Sequence, residues 1–226
     1  MLGYGEAAAE CMRHFCDHDA HGYSQPRRWG DGSFEDVHLS DGSIVQLAGG
    51  DHDCSAGVIG IYDALGVPTG GASWTGDMLS EMLGTGAWAE VDVRAAVAGD
   101  VLWRQGHVEL LDVHDGMRWQ GGFRMSESYD VDGYAGDQTG WECAESAFDP
   151  SDWERCIRCT LTRGDELSDE EARKLARLVA QYAAEYAYGE SDYRRGLNQY
   201  NALHWAFAYV ERMVGKVDAI AKRLGA

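Results

Sequence analysis

A chain of 226 residues with 45% hydrophobic side chains is long and apolar enough to bury a real core, which excludes a disordered segment or a disulfide-dependent miniature. Its net charge of -19 makes nucleic acid an unfavourable partner, because a surface of that sign repels phosphates. No apolar run approaches the roughly 20 residues needed to span a bilayer, and the first residues carry neither a basic nor an apolar leader, so the expectation is synthesis in the cytoplasm without signal peptide or membrane insertion.

The charge is unevenly spread. Residues 1–165 hold 29 acidic and 10 basic side chains, whereas 166–226 hold 9 of each, and Lys174, Lys216 and Lys222 all fall in the later part. This shift predicts two domains, 1–164 and 165–226.

In chain order, Ala8, Cys11, Met12 and Phe15 fall at helical spacing and predict a first helix over 4–17. A polar loop through Trp29-Gly30-Asp31-Gly32 follows, then a hairpin over 39–47 turning at Asp41-Gly42. The hairpin delivers the chain into Gly49-Gly50-Asp51-His52-Asp53-Cys54-Ser55 and a buried helix over 54–65, which Gly66 stops with Pro68 beyond it. A shorter helix is predicted over 77–84, then strands near 99–104, 107–113, 117–125, 140–146 and 155–162, with turns at Asp115-Gly116 and Asp132-Gly133. Helices first and an antiparallel sheet afterwards make an α+β fold.

The last part reads differently. Ser168-Asp169-Glu170-Glu171 is a capping box, with Ala172, Leu175, Val179, Tyr182 and Tyr186 repeating at helical spacing until Gly189. Leu203, Ala206, Val210, Met213, Val217, Ile220 and Leu224 then alternate by three and four, so 165–226 is expected to be a helical hairpin or coiled coil. Its expected role is wall binding or self-association, with a homo-oligomer formed through 168–226.

Cys54 stands at the start of a predicted helix, where the macrodipole and free N–H groups favour a thiolate. His107, on a later strand after Gly99-Asp100-Val101-Leu102-Trp103 and Gly106, is the candidate base. A third polar group should orient the imidazole: Gln120 is chosen, on the strand returning from Asp115-Gly116, with Glu109 as the alternative because it shares the face of His107. The remaining cysteines read as small buried hydrophobes with reduced thiols, and His14, His18, His38, His114 and His204 as surface or packing residues. Cys156 and Cys159 have the spacing of half a zinc site without a second half, so neither a metal nor any other cofactor is expected.

These residues together resemble the NlpC-type papain-like superfamily of cell-wall cysteine peptidases and amidases, whose signature is similar to Asp53-Cys54-Ser55 and Gly99-Asp100 followed by Gly106-His107-Val108. Within it, the phage endolysin-like branch carries a loop similar to His21-Gly22-Tyr23-Ser24-Gln25-Pro26-Arg27-Arg28-Trp29-Gly30 and a segment similar to Gly136-Asp137-Gln138-Thr139-Gly140. The resemblance covers about residues 4–163 and implies a papain-like domain with a Cys–His–polar triad, with Tyr23, Trp29, Asp53, Ser55 and Trp103 as substrate-binding candidates. Residues 34–50 depart from the pattern as an insertion, and glutamine replaces the commoner histidine at the third position.

The implied function is a peptidoglycan hydrolase, a phage or prophage endolysin that cuts an amide bond of the stem peptide as an endopeptidase and acts on the cell wall after release. The same triad would also serve an N-acetylmuramoyl-L-alanine amidase. An oligomerising or wall-binding adaptor with an inactive enzyme fold is the alternative of a different class.

Overall fold

The computed structural model describes residues 1–18, 20–124 and 141–163, all within one unit, Met1–Gly164. The second unit, Asp165–Ala226, lies outside the described residues, and with it the expected tail helices. The segment 136–140 does too.

Among the described residues, three α-helices and two antiparallel sheets make the unit α+β. Helix α1 spans Tyr4–Asp17 and buries Ala7, Ala8, Cys11, Met12 and Phe15, the stripe that its sequence spacing predicts. At its start the Glu6 carboxylate reaches back to accept from the Gly3 N–H at 2.8 Å. Strands β1 (Phe34–His38) and β2 (Ile44–Ala48) form a separate two-stranded hairpin. Its turn uses the Asp41 carboxylate to accept from Ser43 N and Oγ, but β1 begins well before the predicted 39.

Helix α2 runs Cys54–Leu65 and ends at Gly66, the expected stop, which adopts the left-handed conformation. Its Val58, Ile59 and Ile61 are fully buried, each stabilising the fold by roughly 1.5–3 kcal/mol. Gly57 presses against the sheet: a Cβ there would lie 2.5 Å from the Phe123 ring, so only glycine lets the first turn of α2 approach this closely. Helix α3 spans Thr75–Gly84.

The main sheet has six strands, β3 (Trp88–Val91), β4 (Val101–Arg104), β5 (His107–His114), β6 (Met117–Phe123), β7 (Cys143–Ala147) and β8 (Arg155–Cys159). Their order is β3-β8-β4-β5-β6-β7, each neighbour antiparallel. Strand β3 was not among the expected strands, since four residues are too few to show alternation; its Trp88 indole N–H donates to Pro68 O at 2.7 Å.

Alternation along the strands feeds two cores. Val101, Val108, Leu110, Phe123 and Ile157 join the apolar faces of α1 and α2. Leu102, Leu111 and Cys156 point the other way, into a smaller cluster with Ala96 and Trp153. The β5–β6 hairpin closes on the two-residue turn Asp115-Gly116, both at positive φ, and this fixes the pairs Leu110 with Gly121 and Leu111 with Gln120. Among the described residues no helix is long and apolar enough to cross a membrane, and all six cysteines are free thiols.

Candidate active site

Cys54 is the first residue of α2, and the Asp53 side chain caps that helix by accepting from Ala56 N at 2.7 Å. The loop 21–30 wraps the run leading to the cysteine: Tyr23 and Trp29 each bridge to His52, and Ser24 N donates to His52 O at 3.1 Å. His52 is buried with its two ring nitrogens near the carbonyls of Arg28 and Ala48, and burial lowers its pKa to about 4, so the ring is neutral and only one of the two nitrogens donates.

His107 opens β5 at the rim of the sheet and interacts with the Cys54 thiol. Its Nε2 lies 3.0 Å from Glu109 Oε1, two residues along the same strand face. Burial works against a charged ring, but the hydrogen bond with Cys54 and then that with Glu109 prevail, raising the His107 pKa to about 9. Glu109 is itself buried, and burial would raise its pKa. The His107 hydrogen bond and the Arg124 charge outweigh burial and hold it below the usual range. Arg124 grips the carboxylate from β6's end, Nε to Oε1 at 2.8 Å and Nη2 to Oε2 at 3.3 Å. A Cβ on Gly122 would lie 2.8 Å from Glu109 Cγ, so that glycine makes room for the carboxylate.

Gln120 stands elsewhere. It pairs with Leu111, and its amide oxygen accepts from Asp149 N at 3.2 Å and from the Trp153 indole at 3.0 Å. The imidazole donates instead to the carboxylate of Glu109, the alternative named from the sequence. Gln120 reaches His107 only through Trp153, whose ring stacks on the imidazole at 5.8 Å between centroids.

The other candidates divide between the thiol and its scaffold. Tyr23 is buried, with Gln25 Nε2 donating to its hydroxyl at 3.2 Å; burial is the main cause of its raised pKa, and the Cys54 charge adds to it. Trp103 donates its indole N–H to Thr75 O at 2.8 Å, and Thr75 Oγ1 lies 3.8 Å from Cys54 Sγ. Asp53 and Ser55 are buried and bonded to each other at 3.0 Å, which makes them parts of the helix cap. Trp29 packs on the core with the Arg28 guanidinium 5.3 Å from its ring.

Arg28, Thr75, Arg124 and Trp153 were not read from the sequence. Arg28 ties the cap together: it donates to Ser55 Oγ and Ser73 O, each at 2.6 Å, and pairs with Asp53 at 3.1 Å. For Arg124 a signal existed, since continuing the Asp115-Gly116 register past Gly121 places position 124 opposite His107. Asp100 of the Gly-Asp signature is a buried strut, bonded by Arg158 Nε at 2.8 Å and Nη2 at 2.7 Å.

A buried thiol, an imidazole and a carboxylate in series can perform nucleophilic and general acid–base chemistry. A family model described as an endolysin-like domain matches residues 3–123, a span that closes at the end of β6 and contains Cys54, His107 and Glu109. Nothing matches among curated proteins, and nothing matches among solved structures. The match takes in more than half of the 226 residues, so the chain belongs to the endolysin-like domain family, which indicates a cell-wall lytic enzyme that hydrolyses peptidoglycan.

Proposed function

We propose that this protein is a cysteine peptidoglycan hydrolase with an NlpC-type, papain-like domain, cutting an amide bond of the stem peptide as an endopeptidase. The observation that carries the reading is the His107 ring, which meets the Cys54 thiol and the Glu109 carboxylate together, its pKa raised by both against the effect of burial. Glu109 occupies Nε2, leaving Nδ1 as the nitrogen for the thiol.

In this mechanism the Cys54 thiolate attacks the amide carbonyl carbon. The backbone N–H of Cys54, among the uncommitted donors at the start of α2, steadies the oxyanion. The His107 imidazolium then protonates the departing amine, leaving an acyl thioester. The neutral ring next takes a proton from water, and the resulting hydroxide releases the acyl product and the thiol. Glu109, held by Arg124, keeps the imidazole oriented and stabilises its charged form.

The test is mass spectrometry of fragments released from several purified peptidoglycans by the native chain and by Cys54→Ala. Cys54-dependent cuts within the stem peptide support the endopeptidase. A newly freed lactyl group would assign an amidase instead, and release that persists in Cys54→Ala, or is absent on every wall, would overturn the proposed chemistry.

A further inference from the structure

His14 lies in the last turn of α1, His21 in the loop that follows, and Glu35 on β1, yet their ligand-capable atoms all fall within 4.8 Å of one another. Glu35 Oε1 is 3.1 Å from His21 Nε2, and Glu35 Oε2 is 3.2 Å from His14 Nε2. Those spacings approach the edge of about 3.3 Å that four donors adopt around a zinc ion at its usual bond lengths.

The chemistry of His21 is the more telling part. The residue is only 4% exposed. Its Nδ1 lies 3.2 Å from Gly50 O, and because a carbonyl can only accept, Nδ1 carries the hydrogen. That leaves Nε2 as the nitrogen directed at Glu35 Oε1. Both atoms are buried, and although they lie at ion-pair distance from each other, neither makes a hydrogen bond of good geometry. An imidazole whose far nitrogen donates to a backbone carbonyl is the arrangement that orients metal-bound histidines. His14 and Glu35, 20% and 30% exposed at their side chains, give an ion a route in from solvent.

We propose that His14, His21 and Glu35 bind one divalent transition-metal ion of the zinc type, through both Nε2 atoms and the carboxylate, with water completing the coordination. Two imidazoles and one carboxylate suit such an ion better than calcium or magnesium, which prefer oxygen-only shells. The site is structural. It ties α1 and the β1–β2 hairpin to the Tyr23 loop, which is joined to the run before the nucleophile by Gly50 O at His21 and by Gly22 N donating to Asp51 Oδ1 at 3.1 Å. The Asp112, His114 and Glu145 group differs in that Arg13 already neutralises Asp112, with bonds at 2.6 and 2.8 Å.

The experiment is cobalt chloride titration of the untagged, chelator-stripped full chain, followed optically, with zinc content by elemental analysis after dialysis against zinc chloride. The expected result is one tetrahedral equivalent without thiolate charge-transfer absorption. That endpoint is lost in Glu35→Gln and in His14→Gln, both at part-exposed positions that leave the core intact, and is kept in Glu145→Gln. Zinc should also raise the melting temperature of the native chain and not of the first two variants. An absent endpoint would leave His21 as a protonated partner of Glu35 and overturn the proposal. So would an endpoint that survives both substitutions, or one that disappears in Glu145→Gln.

Discussion

Glu109 Oε1 accepts from His107 Nε2 at 3.0 Å while the same oxygen takes the Arg124 Nε–H at 2.8 Å, so the carboxylate next to the imidazole is both buried and held in place. The arrangement ranks His107 as a cation at neutral pH, with a pKa raised from 6.5 to about 9 against the effect of burial.

That ranking fixes a pH dependence. The charged ring contributes stability that is complete below the unfolded value near 6.5 and lost as pH rises through about 9. On the proposed mechanism, lysis of purified peptidoglycan should fall on the alkaline side near pH 9, as the Cys54–His107 pair loses its proton. Glu109→Gln should lower kcat/KM by about 10²–10⁴-fold and move that limb to lower pH. An unmoved limb in a folded variant would remove Glu109 from the mechanism.

Gly122→Ala tests the same carboxylate without touching it. The added Cβ would sit 2.8 Å from Glu109 Cγ and 3.3 Å from its Cα, so Glu109 or β6 must shift. The expected cost is about 1–3 kcal/mol in urea unfolding, with a fall in lytic rate beyond what the unfolded fraction explains. Gly60→Ala is the control: a Cβ on this α2 residue meets nothing within 4 Å, and the change should be neutral or stabilising by roughly 0.5–1 kcal/mol.

Thiol reactivity should single out one cysteine. Burial raises Cys11 and Cys156 to about 12, lifts Cys143 well above its ordinary value and raises Cys159. Cys54 instead faces an imidazole able to take its proton. Substoichiometric iodoacetamide at pH 7.5 should therefore label Cys54 ahead of these four, and His107→Ala should slow that labelling on the order of tenfold. Peptide mapping that finds Cys11 or Cys156 modified first would contradict the assignment.

What the sequence made legible follows from how local each signal is. Helices α1 and α2 match their predicted bounds because a stripe of apolar residues, Gly66 and the run before Cys54 are all short-range features. The choice of Gln120 over Glu109 turned on register: the two-residue turn pairs Gln120 with Leu111, four residues short of where it would face His107. Arg28 reaches Asp53 from a loop, a relationship no spacing rule encodes, whereas Arg124 follows from extending the hairpin register beyond Gly121. His14, His21 and Glu35 come from three separate elements, so no spacing along the chain brings them together.

Asp63, late in α2, carries a pH signature opposite in sign to the usual carboxylate. Its side chain accepts from Thr69 Oγ1 at 2.6 Å, but burial dominates and raises its pKa from 3.8 to about 6. The folded state therefore holds this proton more tightly than the unfolded chain, and the group's contribution, complete below about 3.8, is lost as pH rises through about 6. At neutral pH the chain keeps a destabilising, part-buried charge that an amide would relieve. Asp63→Asn should raise unfolding free energy at pH 7.5 by about 1–3 kcal/mol, and the gain should shrink toward zero at pH 4. Urea unfolding at both pH values decides it: an equal gain at each would trace the effect to packing, and a loss at pH 7.5 would mean that the ionised carboxylate stabilises the end of α2.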